Sequence, residues 1–179
     1  MGTTMKLCNR DDIRSHIDGG DLRVAVACGD VVFLDEFRIG LRLRDCVSSL
    51  DGDIDLGGRQ PPLRSFSLKE RGLPAHQLIL GQSVEEFSIP AGLIGFMNTR
   101  SKYARLGLEM MQSSWFMAPG FGQDRPTPVV FEMRSEKPIC GFSEEEPYAF
   151  LMLFALARPV ALDGRDFGSR FPLDAWKEG

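Results

Sequence analysis

Residues 99–108, TRSKYARLGL, hold the densest group of side chains in the sequence that could bind an anionic ligand. Arg100, Ser101, Lys102 and Arg105 all fall within this string. A guanidinium can bind a phosphate through two parallel hydrogen bonds. If the string is helical, Ser101 and Arg105 share a face, because residues four apart are neighbours on a helix. The pattern predicts a phosphate-binding segment, with a charged and solvated helix cap as the alternative.

Glu132 is a second candidate, because it lies in the apolar run VVFEM at residues 129–133. If this run is a strand, Val129, Phe131 and Met133 share one face and Glu132 lies on the other. A carboxylate on a face that lines a cleft can act as a general base toward a bound water. A carboxylate on a solvated face has no such role, and the pattern alone leaves both interpretations open.

Most other classes of catalytic or binding site are disfavoured, because the sequence lacks their motifs. It contains no Walker A loop, no G-x-G-x-x-G and no G-x-S-x-G string. Its four cysteines and two histidines form neither a C-x-x-C pair nor the H-x-E and P-C-x-x-C pattern of zinc-dependent base deaminases. The acidic residues 51–55 lack the spacing of a calcium loop and are predicted to form a solvated turn. No protein cage for a metal is therefore expected.

The composition is that of one globular domain, residues 1–179. Hydrophobic residues make up 43% and charged residues 26%, which is enough for an ordinary core. A net charge of −4 disfavours nucleic acid as a partner. The longest apolar run, residues 148–157, is about half the length of a membrane-spanning helix. The N-terminus shows no secretory signal, so we expect a cytoplasmic protein that binds a small molecule and no membrane.

Two short helices are predicted. Asn9 as N-cap and Gly19 as stop indicate a helix near the N-terminus. A second helix is predicted over residues 102–106, with Ser101 as its cap and Gly107 as its stop. This second helix would position the cationic group.

Strands dominate the rest of the chain. Alternation over residues 37–44 predicts a strand with Phe37, Ile39, Leu41 and Leu43 toward the core. Residues 48–65, which are rich in Gly, Asp and Pro, are predicted to be a loop. Many short strands without βαβ alternation predict a sandwich or barrel. The other strand-like segments are residues 31–34, 77–80, 83–89, 93–97, 110–117, 129–133 and 148–157.

The string TRSKYARLGL resembles the G-R-S-S-x-A-R-L-G-L signature of deoxycytidine triphosphate (dCTP) deaminases. Its ARLGL end favours them over plain deoxyuridine triphosphatases (dUTPases). The resemblance covers roughly residues 5–157 and leaves 158–179 as a divergent C-terminal tail. It implies one mainly β, dUTPase-like domain, a distorted β-barrel with a short N-terminal helix and one short internal helix. The other matching segments are residues 5–20, 39–43, 84–95, 119–121 and 129–133.

The resemblance implies how a deoxynucleotide substrate is bound. Arg100, Ser101 and Lys102 would hold its triphosphate. Mg²⁺ would arrive with the triphosphate, bound by the nucleotide rather than by a protein cage. Ser113 and Ser114 would read the edge of the pyrimidine.

The resemblance also implies hydrolytic deamination of dCTP to dUTP and ammonia. Glu132 would deprotonate a water that attacks C4 of cytosine and then pass the proton to the departing ammonia. Ser101 and Arg105 would position that water and stabilise the developing charge. The family further implies a homotrimer with shared active sites. Residues 148–157, apolar on both faces of the predicted strand, agree with burial against a partner subunit.

Three residues depart from the family pattern. Gly40 replaces an Asp in the first matching strand, Ala118 replaces the Asp before Pro-Gly, and Lys102 replaces the second Ser of the signature. Two alternatives to the deaminase therefore remain. One is a dUTP or dCTP pyrophosphatase of the same fold, which Ala118 disfavours. The other is a non-catalytic nucleotide-binding or structural trimer.

Overall fold

The structure, a computed structural model, describes residues 5–27, 29–52, 62–110 and 115–162. Within these ranges no helix is long and apolar enough to cross a membrane. The helices of this part of the chain are α1 (Arg10–Asp18), α2 (Leu68–Arg71) and α3 (Ser101–Ala104). Its strands are β1 (Lys6–Leu7), β2 (Arg23–Val26), β3 (Ile39–Arg42), β4 (Cys46–Leu50), β5 (Leu63–Ser67), β6 (Ile79–Ser88), β7 (Leu93–Thr99), β8 (Leu108–Glu109), β9 (Phe116–Met117), β10 (Thr127–Ser135) and β11 (Pro147–Ala155).

The strands form two antiparallel sheets around one hydrophobic core. The first sheet has the order β1-β11-β7-β9, and β3 also pairs with β11. The second sheet has the order β5-β4-β6-β10-β8, and β2 also pairs with β6. Just after β3, an isolated bridge between Leu43 and Ser83 connects the chain to the second sheet. The predicted mainly β, distorted barrel is confirmed.

Alternation along the strands builds the core. In β10, Val129, Phe131 and Met133 are buried, whereas Glu132 is half-buried on the opposite face. The period of two that the sequence shows in this run is therefore confirmed. The predicted strand over residues 148–157 is also confirmed, as β11. Its buried residues include Tyr148, Ala149, Leu151 and Leu153.

An ion pair joins β3 to β6 inside the barrel. Oε1 of the fully buried Glu85 accepts a hydrogen bond from Nε of Arg42 at 2.6 Å. Its Oε2 accepts from the main-chain N–H of Arg42 at 2.8 Å. The guanidinium also donates to the carbonyl of Asp30 at 3.4 Å. A buried charge needs such partners, because the interior solvates it poorly.

The prediction that Phe37 faces the core is wrong. Phe37 is 44% exposed, and the strand begins only at Ile39. The reason is a turn, in which the carboxylate of Asp35 accepts the main-chain N–H groups of Phe37 and Arg38, both at 2.9 Å. The residues of the predicted face that are buried are Ile39, Leu41 and Leu43.

Several predicted strands differ in extent. Residues 31–34 form no strand because the Asp35 turn follows directly, and Phe33 makes only an isolated bridge with Ile39. The predicted strands 77–80 and 83–89 join as β6. Residues 110–117 contain β9, beside residues 111–114, which lie outside the described ranges.

Residues 48–65 do not form a continuous loop, in contrast to the prediction from composition. β4 and β5 pair with each other at both ends of this stretch. The hydroxyl groups of Ser48 and Ser65 lie 3.0 Å apart across the two strands. At its two ends, the stretch is therefore paired within the second sheet. The predicted turn at residues 51–55 lies mostly outside the described ranges.

The N-terminal helix is confirmed with its cap. The side chain of Asn9 accepts from the N–H of Asp12 at 2.8 Å, and Asp12 accepts in return from the N–H of Asn9 at 3.1 Å. The fold contains a further short helix, α2, that the sequence analysis missed. Ser67 caps it by accepting from the N–H of Glu70 at 3.2 Å.

Candidate active site

The predicted phosphate-binding segment begins where β7 ends beside β11. The last residue of β7 is Thr99, and the N–H of the next residue, Arg100, donates to the carbonyl of Tyr148 at 2.9 Å. Helix α3 begins at Ser101, one residue earlier than predicted. Arg100 rather than Ser101 is therefore its N-cap residue, and the Arg100 side chain makes no capping hydrogen bond.

Helix α3 and the turn after it divide the predicted site residues between two faces. Ser101 and Arg105 are both exposed and four residues apart, so they share one face as predicted. Lys102, Tyr103 and Leu106 instead line a cavity of about 260 Å³. The rest of the lining comes from Leu108, residues 139–143, Glu146 and Tyr148.

Glu146 binds the two predicted phosphate ligands that carry a positive charge. Its Oε1 accepts from Nη1 of Arg100 at 2.9 Å and from Nζ of Lys102 at 2.8 Å. The hydroxyl of Tyr103 donates to the same oxygen. The sequence analysis missed Glu146, since it lies more than 40 residues from each of these donors. No local pattern could have indicated the contact.

The contacts of Glu146 shift the pKa values of the cluster. The hydrogen bond from the Lys102 ammonium, followed by that from Tyr103, lowers the pKa of Glu146. The bond to Glu146 raises the pKa of Lys102. Burial, and then the neighbouring carboxylate, raise the pKa of Tyr103. At neutral pH the two cations Arg100 and Lys102 and the one anion Glu146 leave a net charge of +1.

Arg100 has anchors besides Glu146. Its Nη1 also donates to the carbonyl of Pro147 at 2.7 Å, and its main-chain N–H is bound to Tyr148. Tyr103 packs on Tyr148 with ring centroids 4.8 Å apart. The start of α3 is therefore attached to β11 through main-chain and aromatic contacts as well as through the carboxylate.

Glu132 is half-buried on the outer face of the second sheet. Its register partner on β6 is Leu80, which in turn pairs with Ser48 of β4. The position is thus sheltered by neighbouring strands and is not open to bulk solvent on all sides. Such an environment suits a carboxylate that has to accept a proton from one ordered water.

An irregularity between β10 and β6 sets the register of Glu132. The pairing shifts between Pro128 and Val130. At the shift, the hydroxyl of Ser83, which is fully buried, accepts the N–H of Val129 at 2.8 Å. The main-chain donor left without a strand partner is thereby satisfied.

The chain that carries Arg100, Ser101, Lys102 and Arg105 continues into β8, the neighbour of β10 in the second sheet. Strand β8, which follows the turn after α3, pairs with the end of β10 at Arg134 and Ser135. Arg134 is two residues beyond Glu132 on the same face of β10. The convergence of Glu132, Ser101 and Arg105 on one water stays a prediction.

Two residues of the predicted site have no structural description. Ser113 and Ser114, the predicted readers of the pyrimidine, lie outside the described ranges. Within those ranges, no group of three or more His, Cys, Asp or Glu side chains is placed to hold a metal ion.

Comparison with known proteins identifies similar sequences. A family model described as dCTP deaminase-like matches residues 53–140. The dUMP-forming dCTP deaminase of Corynebacterium kroppenstedtii is 30% identical over 159 residues, which cover 83% of this chain and 81% of that protein. The dUMP-forming dCTP deaminase of Mycobacterium marinum is 30% identical over 126 residues, covering 65% of this chain and 64% of that protein.

Solved structures share the fold at lower identity. The dCTP deaminase of Agrobacterium tumefaciens superposes with a TM-score of 0.62 and 16% identity, over 85% of this chain. The match covers 49% of that deaminase, so this chain spans about half its length. A mutant dUTPase of phage phi11 of S. aureus, described with a structural Mg(II) ion, superposes with a TM-score of 0.50 and 10% identity. At these identities the likeness concerns the fold alone.

Proposed function

Because this chain belongs to the dCTP deaminase family, we propose that it catalyses the hydrolytic deamination of dCTP. The main support is the similarity to a relative named as a dUMP-forming dCTP deaminase, which is 30% identical over 83% of this chain. That name changes the product expected from the sequence. One dCTP and two waters would give dUMP, ammonia and pyrophosphate, instead of dUTP and ammonia.

Glu132 is the proposed general base. Its carboxylate takes a proton from a water whose oxygen bonds to C4 of cytosine. The same proton then goes to the amino group, the C4–N bond breaks, and ammonia leaves. The half-buried position of Glu132 on β10 supports this role, because a sheltered carboxylate can hold a single water in place.

Ser101 and Arg105 are the proposed partners of the water and of the charge that develops on the base. Both residues are exposed, Ser101 at the start of α3 and Arg105 as its C-cap residue, which leaves both side chains available to a substrate. A guanidinium aimed at developing negative charge lowers the barrier more than it strengthens ground-state binding. Shared active sites in a trimer would let these residues meet Glu132 of a neighbouring subunit.

The triphosphate is proposed to lie on Arg100, Ser101 and Lys102, with the pyrimidine read by Ser113 and Ser114. Mg²⁺ would arrive as part of the substrate, since it is bound by the phosphates of the nucleotide. It would offset phosphate charge. In the deamination step, the proposed work of this chain is to bind and orient the nucleotide and to move one proton.

The test is to incubate the protein with dCTP and Mg²⁺ and to measure ammonia and pyrophosphate separately. Equal amounts of both support dUMP formation. Ammonia alone supports the second candidate product, dUTP, which Ala118 favours because it places a methyl group where the dUTPase pattern has a carboxylate. Pyrophosphate alone indicates a pyrophosphatase, and nucleotide binding without either product indicates a non-catalytic protein.

Replacing Arg100 by alanine should weaken triphosphate binding more than it lowers the turnover rate. The half-buried guanidinium makes charge-assisted contacts, and its loss should raise the dissociation constant for a non-hydrolysable dCTP analogue about 10- to 100-fold. Isothermal titration calorimetry measures this change in the dissociation constant. Arg14→Ala is the matched control, because Arg14 is an exposed arginine of α1. Equal affinities of the Arg100 variant and the parent protein would remove Arg100 from the site.

A homotrimer is the proposed assembly, and an apolar outer face of the first sheet supports it. The face consists of Ile94, Phe96, Phe116, Met152 and Phe154, which are register neighbours on β7, β9 and β11. Phe116 is 54% exposed, and the rings of Phe96 and Phe154 meet edge to face at 5.3 Å. Such a contiguous apolar patch is typical of a subunit interface.

Sedimentation at micromolar concentration should therefore give three times the chain mass of 19.9 kDa. Phe96→Asp should shift the protein to monomers, because it places a charge at the centre of the apolar face. Circular dichroism would check that the variant retains its strands. A parent protein that sediments only at 19.9 kDa would contradict both the trimer and the shared active site.

A further inference from the structure

Arg100 and Lys102, the cations proposed to bind the triphosphate, already bind the carboxylate of Glu146. Oε1 of Glu146 accepts hydrogen bonds from Arg100 and Lys102, at 2.9 and 2.8 Å. These are the N–H donors that a phosphate oxygen would use. A nucleotide phosphate that reaches them has to displace Glu146 or share the donors with it.

The geometry permits displacement. The carboxylate of Glu146 is 36% exposed and the side chain of Lys102 is 57% exposed, so both can move without disturbing the core. Glu146 is part of the segment before β11, whereas Arg100 is retained by Pro147 and Tyr148. Removal of the Glu146 charge therefore leaves the guanidinium anchored at the start of α3.

We propose that Glu146 is an internal counter-ion that competes with the phosphate chain of the substrate for Arg100 and Lys102. The inference rests on the proposed function, because it assumes that these two residues bind the triphosphate. Glu146 reduces the combined charge at Arg100 and Lys102 from two positive units to one. It thereby lowers the affinity for any phosphate and sets the charge that a ligand must carry to bind. A ligand without phosphate gains nothing from its removal.

Inorganic tripolyphosphate is the probe, because it carries the charge of the nucleotide without the base. Glu146→Gln keeps the size of the side chain and removes its charge. The dissociation constant for tripolyphosphate should fall about 2- to 5-fold, which is the range expected for loss of a partly exposed competing ion pair. Glu145→Gln is the matched control, since it removes one exposed negative charge at the preceding position. Glu145 forms no salt bridge with Arg100 or Lys102.

Isothermal titration of the parent protein and of both variants decides the question. Tighter binding by the Glu146 variant than by the Glu145 variant supports the competing counter-ion. Equal effects of the two substitutions overturn it, since the gain would then reflect overall charge. Weaker binding by the Glu146 variant also overturns it, since Glu146 would then position the cations for phosphate.

A further variant separates this inference from the proposed function. If the parent protein binds tripolyphosphate and Arg100→Ala abolishes the binding, the phosphate site is correct whatever Glu146 does. If tripolyphosphate fails to bind the parent protein and the Glu146 variant alike, the phosphate site itself is wrong and the counter-ion role is wrong with it.

Discussion

Glu132→Gln should lower the rate of ammonia release from dCTP by about 10²- to 10⁴-fold while nucleotide binding persists. Glutamine keeps the size and the hydrogen-bonding capacity of the side chain but cannot accept the proton of the attacking water. The interaction that is lost exists only in the transition state, so turnover should fall and affinity should remain. Initial rates and titration with a non-hydrolysable dCTP analogue measure the two quantities.

Glu86→Gln is the matched control for this substitution. Glu86 is another half-buried carboxylate of the second sheet, and it pairs with Arg44 at 2.8 Å. Its replacement should change turnover by no more than a few fold. If the Glu132 variant turns over dCTP as fast as the Glu86 variant, the general base is a different residue. The non-catalytic interpretation would lead if the parent protein itself released no ammonia.

Arg42→Met should lower the free energy of unfolding by about 3–5 kcal/mol. Glu85 is fully buried and its carboxylate is bound mainly by Arg42, so the substitution leaves a charge without its counter-ion in the interior. Methionine fills much of the volume of the arginine stem, which limits the effect of a cavity. Urea denaturation at one fixed protein concentration measures the change.

Two further variants separate the effect of charge from that of packing. Arg42→Met combined with Glu85→Gln should regain most of the lost stability, because glutamine is neutral and can still accept the main-chain N–H of residue 42. Arg44→Met breaks an ion pair whose two side chains are about one third exposed, and it should cost no more than about 1 kcal/mol. If Arg42→Met and Arg44→Met lowered the free energy of unfolding equally, the burial of the Arg42–Glu85 pair would have no effect on its contribution to stability.

Local features of this protein could be predicted from the sequence. The capping box at Asn9 and Asp12 is formed by residues three apart, so a short string contains all of it. The alternation that places Glu132 opposite the buried face of β10 depends only on the period of a strand. The string at residues 99–108 is likewise a local feature, and it is the most specific part of the family resemblance.

Composition misled where tertiary contacts satisfy polar groups or where a turn interrupts a pattern. Ser48 and Ser65 bond across β4 and β5, so the two ends of a stretch with the composition of a loop are part of a sheet. Phe37 continues the alternation of β3 in the sequence, yet the carboxylate of Asp35 turns the chain before the strand begins. In both cases specific contacts of the folded chain outweighed the average preference of the segment.

The charge environment of the candidate site was decided by tertiary structure alone. Glu146 reaches Arg100 and Lys102 from more than 40 residues away, and Arg42 meets Glu85 from a distance of 43 residues in the sequence. Glu146 lies outside the matching segments and Glu85 lies within residues 84–95, yet composition alone would make each a solvated side chain. Helix caps and strand periods are short-range properties that an unfolded segment already encodes. Which charge meets which depends on strand pairing, and strand pairing exists only once the barrel has closed.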